Sequence, residues 1–279
     1  MTVPRILVEP IVRAALLEDL GRAGDITTDA IVPDDQQAEA VIVSRQVGVL
    51  GGIEAALMAW ELLDPTLKFD VLTPDGTRLE PGSKVAVVRG RARAILAGER
   101  VALNLLCRVS GTASATRVLA DAIAGHKAKI VCTRKTTPGL RLLEKYAVRL
   151  GGGANHRFGL DDAMLIKDNH VAMAGSVTKA LERAKAAAGH LVKIELEVDT
   201  LDQLAEALEC GVDAVLLDNM DPDTLRRAVG MVRGRAVTEA SGRITVETAP
   251  AIAAAGVDLI SSGWITHSAP ILDLGLDID

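Results

Sequence analysis

Aromatic side chains are nearly absent from this 279-residue chain: two Trp, two Phe and one Tyr, or 2%. That scarcity excludes a single-strand nucleic-acid groove built on base stacking. It also means that the core must be aliphatic, assembled from the Ala, Val, Leu and Ile that dominate a 49% hydrophobic composition. A cationic surplus is missing too. Against 31 Lys and Arg stand 37 Asp and Glu, a net charge of -6, which argues against broad contact with a phosphate backbone. No apolar run reaches the ~18–20 residues needed to span a bilayer. The N-terminus, M-T-V-P-R-I-L-V-E-P, lacks the apolar h-region of a signal peptide. Neither nucleic acid nor a membrane is therefore expected as a partner. The three cysteines, Cys107, Cys132 and Cys210, are odd in number and lack C-x-x-C spacing. They read as reduced thiols in a cytoplasmic protein.

Within this acidic chain lies a basic island, Thr133–His170. It holds Arg134, Lys135, Arg141, Lys145, Arg149, Arg157 and Lys167, with His156 and His170, against Glu144, Asp161, Asp162 and Asp168. A local excess of one sign points to a local anion site. Two short apolar runs, Ile130–Cys132 and Met164–Ile166, end abruptly in Arg134-Lys135 and in Lys167. Arg141, Lys145 and Arg149 are read as a solvated helix face or a dimer contact, and Arg108 as a solvated or snorkelling arginine.

The first third reads as α+β. Helical periodicity covers Ile11–Leu20 and Gly51–Leu63, strands are expected at Ala38–Val43, Lys68–Leu72 and Lys84–Ile95, and G-D-I-T-T-D at Gly24–Asp29 reads as a turn. Two helices follow, Ala97–Val109 and Ser110–Gly125. From Lys129 onward short apolar strands alternate with helices. The strands are Ile130–Thr133, Met164–Ile166, Val192–Val198, Ala214–Leu217, Ala236–Glu239 and Asp258–Ser261. N-cap candidates Ser176, Thr200, Asp221 and Thr245 open the helices between them. Such βα repeats imply parallel strands with right-handed crossovers, in about six units rather than the eight of a full α/β barrel. The expected division is an N-terminal domain over 1–110 and a catalytic barrel domain over 111–273, with the tail 274–279 packing on the first.

Active sites of α/β barrels lie at the carboxyl ends of the strands. Here those ends carry Arg134-Lys135, Lys167, the E-L-E-V-D run of Glu195, Glu197 and Asp199, Asp218-Asn219, Glu239 to Gly242, and Ser261-Ser262-Gly263. A strand period of two puts the three acids of E-L-E-V-D on one face. Buried carboxylates need cations, with Lys135, Lys167 and a metal ion as candidates. The cationic group of Arg134, Lys135, His156, Arg157 and Lys167 suits a substrate with several carboxylates or phosphates. Glu197 and Asp218 suit Mg²⁺ held with waters and a pyrophosphate. Ser241-Gly242 and Ser262-Gly263 suit a terminal phosphate. These three together suggest transfer to or from a phosphorylated sugar.

The motifs C-T-R-K-T-T-P-G-L-R, G-G-G-A-N-H-R-F-G-L-D-D, I-K-D-N-H, E-L-E-V-D-T, L-L-D-N-M and the ending G-W-I-T-H-S-A-P-I-L-D-L-G-L-D-I closely resemble the quinolinate phosphoribosyltransferase family. E-D-L-G-R-A-G-D-I-T-T near the start extends the resemblance over nearly the whole chain. It implies an N-terminal α/β sandwich, a barrel of fewer than eight strands and a homodimer with shared active sites. The implied reaction joins quinolinate to phosphoribosyl pyrophosphate with Mg²⁺, giving nicotinate mononucleotide, pyrophosphate and CO₂. By motif, Arg134, His156, Arg157 and Lys167 would hold the quinolinate carboxylates, and Lys135 would sit beside them at the diphosphate. Arg100 in G-E-R-V-A-L-N would come from the partner subunit. Glu197 and Asp218 would lie near ribose and metal, with Ser241, Gly242, Ser262 and Gly263 at the 5-phosphate. One departure is Arg243, where relatives often have glycine or asparagine. Two rival readings remain: a paralogous phosphoribosyltransferase acting on another pyridine carboxylate, and a Schiff-base lyase using Lys167.

Overall fold

The structure is a computed structural model that describes residues 3–278. Its contacts divide the chain into two compact units. One takes in the described residues up to Arg117, Thr136–Gly152 and the described residues from Ser268; the other takes in Val118–Lys135 and Gly153–His267. No described helix is long and apolar enough to cross a membrane.

The first unit begins with α1 (Arg5–Leu20), α2 (Ile26–Ile31), β1 (Gln37–Ser44), β2 (Gly48–Val49), α3 (Ile53–Leu63), β3 (Lys68–Val71), β4 (Arg78–Leu79), β5 (Lys84–Arg91) and most of α4 (Ala92–Ala122). It also holds α5 (Arg141–Leu150) and β12 (Leu274–Ile278). Its main sheet runs β12-β1-β5-β3 and is antiparallel throughout. Leu274 to Ile278 pair with Ser44 to Ala40, so the C-terminal strand completes the sheet started near the N-terminus. The core beneath is aliphatic, apart from the wholly buried Trp60, whose Nε1–H donates to the Ile95 carbonyl at 2.8 Å.

Three expectations are corrected here. The strand from Lys84 ends at Arg91, and Ala92 already opens α4, because A-R-A-I-L-A is a run of good helix formers. The two helices expected after it are one helix of 31 residues. In its middle the Ser114 and Thr116 hydroxyls, instead of breaking the helix, donate to the Ser110 and Thr112 carbonyls four residues back, at 2.7 and 2.8 Å. The segment read as a turn contains α2, capped by Asp25, whose carboxylate accepts the Thr28 N–H at 3.0 Å.

The second unit contains β6 (Lys129–Val131), β7 (Met164–Ile166), α6 (Asp168–Ala174), α7 (Val177–Ala187), β8 (Ile194–Val198), α8 (Leu201–Cys210), β9 (Ala214–Asp218), α9 (Pro222–Val232), β10 (Val237–Ser241), α10 (Ala249–Ala254), β11 (Leu259–Ser261) and α11 (Trp264–His267). All six strands are parallel, in the order β6-β11-β10-β9-β8-β7. The first strand lies beside the last, as in a barrel, and the ring stays open between β6 and β7. Ser176, Thr200 and Asp221 cap α7, α8 and α9 through their side chains. Thr245 does not cap α10, which starts at Ala249. Its hydroxyl instead accepts the Thr248 N–H, at 3.3 Å, in a turn ahead of the helix.

Mid-helix glycine ordinarily costs about 1 kcal/mol relative to alanine, yet Gly111 sits in the middle of α4. A Cβ there would lie 2.1 Å from the Pro270 carbonyl oxygen and 2.8 Å from Ile271 Cα, both backbone atoms of the same unit. Gly111→Ala is therefore expected to destabilise the protein by about 1–3 kcal/mol, read as a lower urea midpoint. A gain in stability would show that this close approach does not exist.

Candidate functional site

A cavity of about 680 Å³ opens at the carboxyl ends of the second unit's strands. Of the twelve residues singled out from sequence, eleven line it: Arg134, Lys135, His156, Arg157, Lys167, Glu197, Asp218, Ser241, Gly242, Ser262 and Gly263. The twelfth, Arg100, lies on α4 in the first unit, exposed, with Glu99 3.9 Å away. Chain direction accounts for the gathering: parallel strands all end on one side, so the residue after each strand faces the same mouth.

The seam in the ring is where the cations collect. Beyond β6 the chain continues into Arg134-Lys135. The Lys135 N–H donates to Thr133 Oγ1 (2.9 Å), and its carbonyl accepts the buried Thr266 hydroxyl (2.7 Å). Along the free edge of β6 runs the connector that carries His156 and Arg157. Ala154 forms a parallel bridge with Val131, its N–H reaching the Ile130 carbonyl (2.8 Å) and its carbonyl accepting from Cys132 (3.2 Å). A loop thereby takes the place of a seventh strand. On the far side of the seam β7 is followed by Lys167, whose Nζ pairs with Glu197 Oε2 at 3.2 Å.

Arg157 is held by one Nη1–H donated to the Ala163 carbonyl, at 3.0 Å, while its Nε is buried without a hydrogen-bond partner. Its affinity for its own proton is lowered, first by burial and next by the charge of Arg134; Asp162 and Glu195 offset this in part. Two guanidiniums that repel each other in a partly dry cleft define an anion site.

Behind them sits a second cluster. His156 Nε2 lies 2.9 Å from Glu195 Oε2 and 3.8 Å from Glu239 Oε1. The other ring nitrogen, Nδ1, accepts the backbone N–H of Arg157 at 2.7 Å. The ring is thereby held between the backbone of its own loop and the Glu195 carboxylate. Glu239 is 2% exposed, and its Oε1 has no hydrogen-bond partner. Burial, then the Glu195 charge, raise its pKa to about 7, against a partial lowering by His156 and Ser261. His170 repeats the His156 device: its Nδ1 accepts the Lys167 N–H at 2.9 Å.

At the opposite wall the Ser241 hydroxyl donates to Asp218 Oδ1 (2.7 Å) and the Asn219 amide to Asp218 Oδ2 (2.5 Å), which orients that carboxylate. Gly242 has φ +103°, and a Cβ on it would meet Asn219 Oδ1 at 2.2 Å, so only glycine fits this turn. Arg243 follows in the left-handed region at φ +49° and also lines the cavity. The Ser262 N–H is committed to the Val131 carbonyl (3.0 Å).

For Mg²⁺, the donor sets differ in fit. His156, Glu195 and Glu239 offer ligand atoms within 4.8 Å of one another, but an imidazole in a buried corner suits a hard, hydrated cation poorly. Glu197 and Asp218 are oxygen donors at the open mouth, with room for water, and fit it better.

Other expectations need adjusting. Asp199 lies past the end of β8, exposed, with its N–H bonded to Gln203 Oε1 in the α8 cap (2.8 Å), so it does not join Glu195 and Glu197. Glu197 meets Lys167 as expected, whereas Glu195 meets His156. Lys145 is 2% exposed, not a solvated cation. Arg108 is not snorkelling: its Nη2 pairs with the fully buried Glu144 at 2.7 Å, and Glu144 also accepts the Thr137 N–H (3.0 Å) and hydroxyl (2.7 Å). Glu195 and Glu239 were legible as strand-end acids. Their convergence on His156 was not, because it depends on how two separate strands and a loop stagger. Asn219, Arg243 and His267 also line the cavity; Asn219 and His267 lie in the motif segments, and Arg243 is the departure noted from sequence.

The profile described as Quinolinate phosphoribosyl transferase, C-terminal domain, matches residues 112–277, and the profile of the corresponding N-terminal domain matches 25–110. The chain is 46% identical over 262 residues to a probable nicotinate-nucleotide pyrophosphorylase (carboxylating) of Bacillus subtilis, covering 94% of this chain and 90% of the relative. It is also 46% identical over 272 residues to the nicotinate-nucleotide pyrophosphorylase (carboxylating) of Mycobacterium leprae, covering 96% and 95%. The crystal structure of NadC from Streptococcus pyogenes superposes with a TM-score of 0.96 at 39% identity, covering 100% of this chain and 99% of that one.

The buried acid yields a prediction. Glu239 holds its proton more tightly in the fold (pKa about 7) than its ordinary value of 4.5. The stability it contributes is therefore fully present below that ordinary value and lost as the pH rises through about 7. Relative to Glu239→Gln, the wild type should lose up to about 3 kcal/mol between about pH 5 and pH 8, by urea unfolding at both pH values. A difference that stays constant across that range would contradict the assignment.

Proposed function

The chain belongs to the quinolinate phosphoribosyltransferase family, and from that premise we propose how its cleft carries out the family's reaction. The protein transfers the phosphoribosyl group of phosphoribosyl pyrophosphate to the ring nitrogen of quinolinate, with loss of one carboxylate as CO₂. The products are nicotinate mononucleotide and pyrophosphate, in the biosynthesis of NAD. The observation that carries the assignment of roles is the gathering of Arg134, Arg157 and Lys167 on one cavity. A dicarboxylate matches three such cations.

Arg134, Arg157 and Lys167 hold the two carboxylates of quinolinate, as guanidinium forks and an ammonium match them. The ring nitrogen is thereby aimed at ribose C1, and this ordering removes much of the entropy cost of a two-substrate encounter. As pyrophosphate departs, C1 acquires cationic character. Glu197 and Asp218 face that carbon and offset its charge, while Lys135 offsets the charge growing on the leaving diphosphate. The attacking atom belongs to the substrate, so no protein nucleophile is required. Once the nitrogen is alkylated, the C–CO₂ bond breaks, CO₂ leaves, and the electron pair stays on C2, stabilised by the adjacent cationic nitrogen, until a proton from solvent forms the C2–H bond. Ser241, Gly242, Ser262 and Gly263 shape the wall for the 5-phosphate. Mg²⁺, when bound, would be held by Glu197 and Asp218 with diphosphate oxygens and would supply further charge neutralisation there.

Arg100 is exposed and does not line its own chain's cavity, which supports its contribution to the cleft of a second copy in a homodimer. The three free cysteines support a cytoplasmic setting. The Schiff-base reading of Lys167 is disfavoured, since its ammonium is half-exposed and paired with a carboxylate. A dry pocket without such a partner is what would free an amine.

Arg134→Ala and Lys167→Ala are each expected to lower kcat/KM for quinolinate at least about 100-fold. Circular dichroism and thermal midpoint should stay near wild type. Near-normal turnover in either variant would refute the assigned role.

A further inference from the structure

We propose that the Arg243 side chain is a substrate-binding residue, which holds the 5-phosphate of phosphoribosyl pyrophosphate at the end of β10. The proposal rests on the reading above, in which that phosphate lies against Ser241, Gly242, Ser262 and Gly263. It starts from a shortage of donors on that wall. The Ser241 hydroxyl donates to Asp218 Oδ1 at 2.7 Å, and the Ser262 N–H is taken by the Val131 carbonyl at 3.0 Å. Gly242 and Gly263 offer no side chain. The same wall carries the Asp218 carboxylate, held in place by Ser241 and Asn219. A phosphate dianion beside a fixed carboxylate needs a cation close by. In the same reading Arg134, Arg157 and Lys167 meet carboxylates and Lys135 meets the diphosphate. Among the described residues that line the cavity from the ends of β9 and β10, Arg243 alone carries a positive charge.

Two features of Arg243 itself point the same way. Its backbone carbonyl accepts the Thr248 hydroxyl at 3.4 Å, while its guanidinium has no hydrogen bond or ion pair with another described residue. Its backbone is left-handed, with φ +49°, directly after Gly242 at φ +103°. A long L side chain is unfavourable in that conformation, and glycine is the ordinary occupant. Arg233 shares it at φ +48°, but there the residue caps α9 and its Nε donates to the Gly230 carbonyl at 3.1 Å. Arg243 has no such local task. A strained turn that aims an unpartnered cation into a cavity is the kind of feature found at ligand clamps. The 5-phosphate stays on the ribose throughout the reaction, so this contact is made alike in substrate, transition state and product. It therefore contributes to binding and not to the chemical step.

The test compares Arg243→Gly and Arg243→Lys with the wild type in the full-length enzyme. Arg243→Gly should raise the KM for phosphoribosyl pyrophosphate about tenfold, with kcat and the quinolinate KM within about twofold. Ribose 5-phosphate, as an inhibitor competing with phosphoribosyl pyrophosphate, should weaken by about the same factor. Pyrophosphate, which probes the diphosphate end, should inhibit the variant as it does the wild type. Arg243→Lys keeps the charge without the fork and should fall between the two. The urea midpoint of Arg243→Gly should stay at or above that of the wild type, because glycine relieves the left-handed turn. An unchanged KM with unchanged ribose 5-phosphate inhibition overturns the proposal. Equal weakening of pyrophosphate also overturns it, by placing the guanidinium at the diphosphate, and a lowered midpoint does so by making Arg243 a structural residue. If the wild type itself does not turn over quinolinate with phosphoribosyl pyrophosphate, the underlying reading of the cleft fails as well.

Discussion

Two arginines brought into one cleft are the arrangement on which this site turns. Arg134 and Arg157 line the same cavity, and burial together with the charge of Arg134 weakens the hold of Arg157 on its proton, so an anion between them is favoured. Such an arrangement persists only when the rest of the fold over-determines it. Arg134 is carried by the end of β6, and Arg157 by a loop laid along the β6 edge. Had the ring closed with a regular strand at that seam, the position would have been filled by an inward-facing side chain of fixed direction. An open ring leaves room for a loop and for the substrate beside it.

The acids opposite have different jobs because their surroundings differ. Glu197 lines the cavity and is met there by the Lys167 ammonium at 3.2 Å. Asp218 is oriented by Ser241 and Asn219 and also faces the mouth. Glu239, deep in the strand layer, holds its proton up to about pH 7, so the buried corner carries one negative charge rather than two. Local polarity thus sorts four carboxylates into charges at the mouth and ballast beneath the cations. Gly242 and the positive φ of Asn219 shape the turn that closes this wall.

Much of this was legible in the sequence because parallel βα units put every strand's end on one face. Reading what followed each apolar run located nine cavity residues without any knowledge of contacts, and the basic island added His156 and Arg157. The same logic failed where tertiary packing overrides local pattern. Lys145 and Arg108 have the spacing of solvated helix cations, yet burial and Glu144 claim them. Asp199 keeps the alternation of E-L-E-V-D, but the strand ends one residue earlier and the α8 cap takes over. The convergence of His156, Glu195 and Glu239 has no linear signature, since it arises from the stagger between β8, β10 and the loop. Helix α4 reads as two pieces because hydroxyls that bond to their own backbone look, in sequence, like breakers.

The central claim is that the paired guanidiniums select a dicarboxylate. The most direct measurement is calorimetric titration of the enzyme with quinolinate and with nicotinate, which has the same ring and lacks the 2-carboxylate. Losing one charge-assisted contact between the paired arginines should weaken binding by about tenfold to a hundredfold, and the preference should largely disappear in Arg157→Ala. Equal affinity for the two ligands in the wild type would contradict the account.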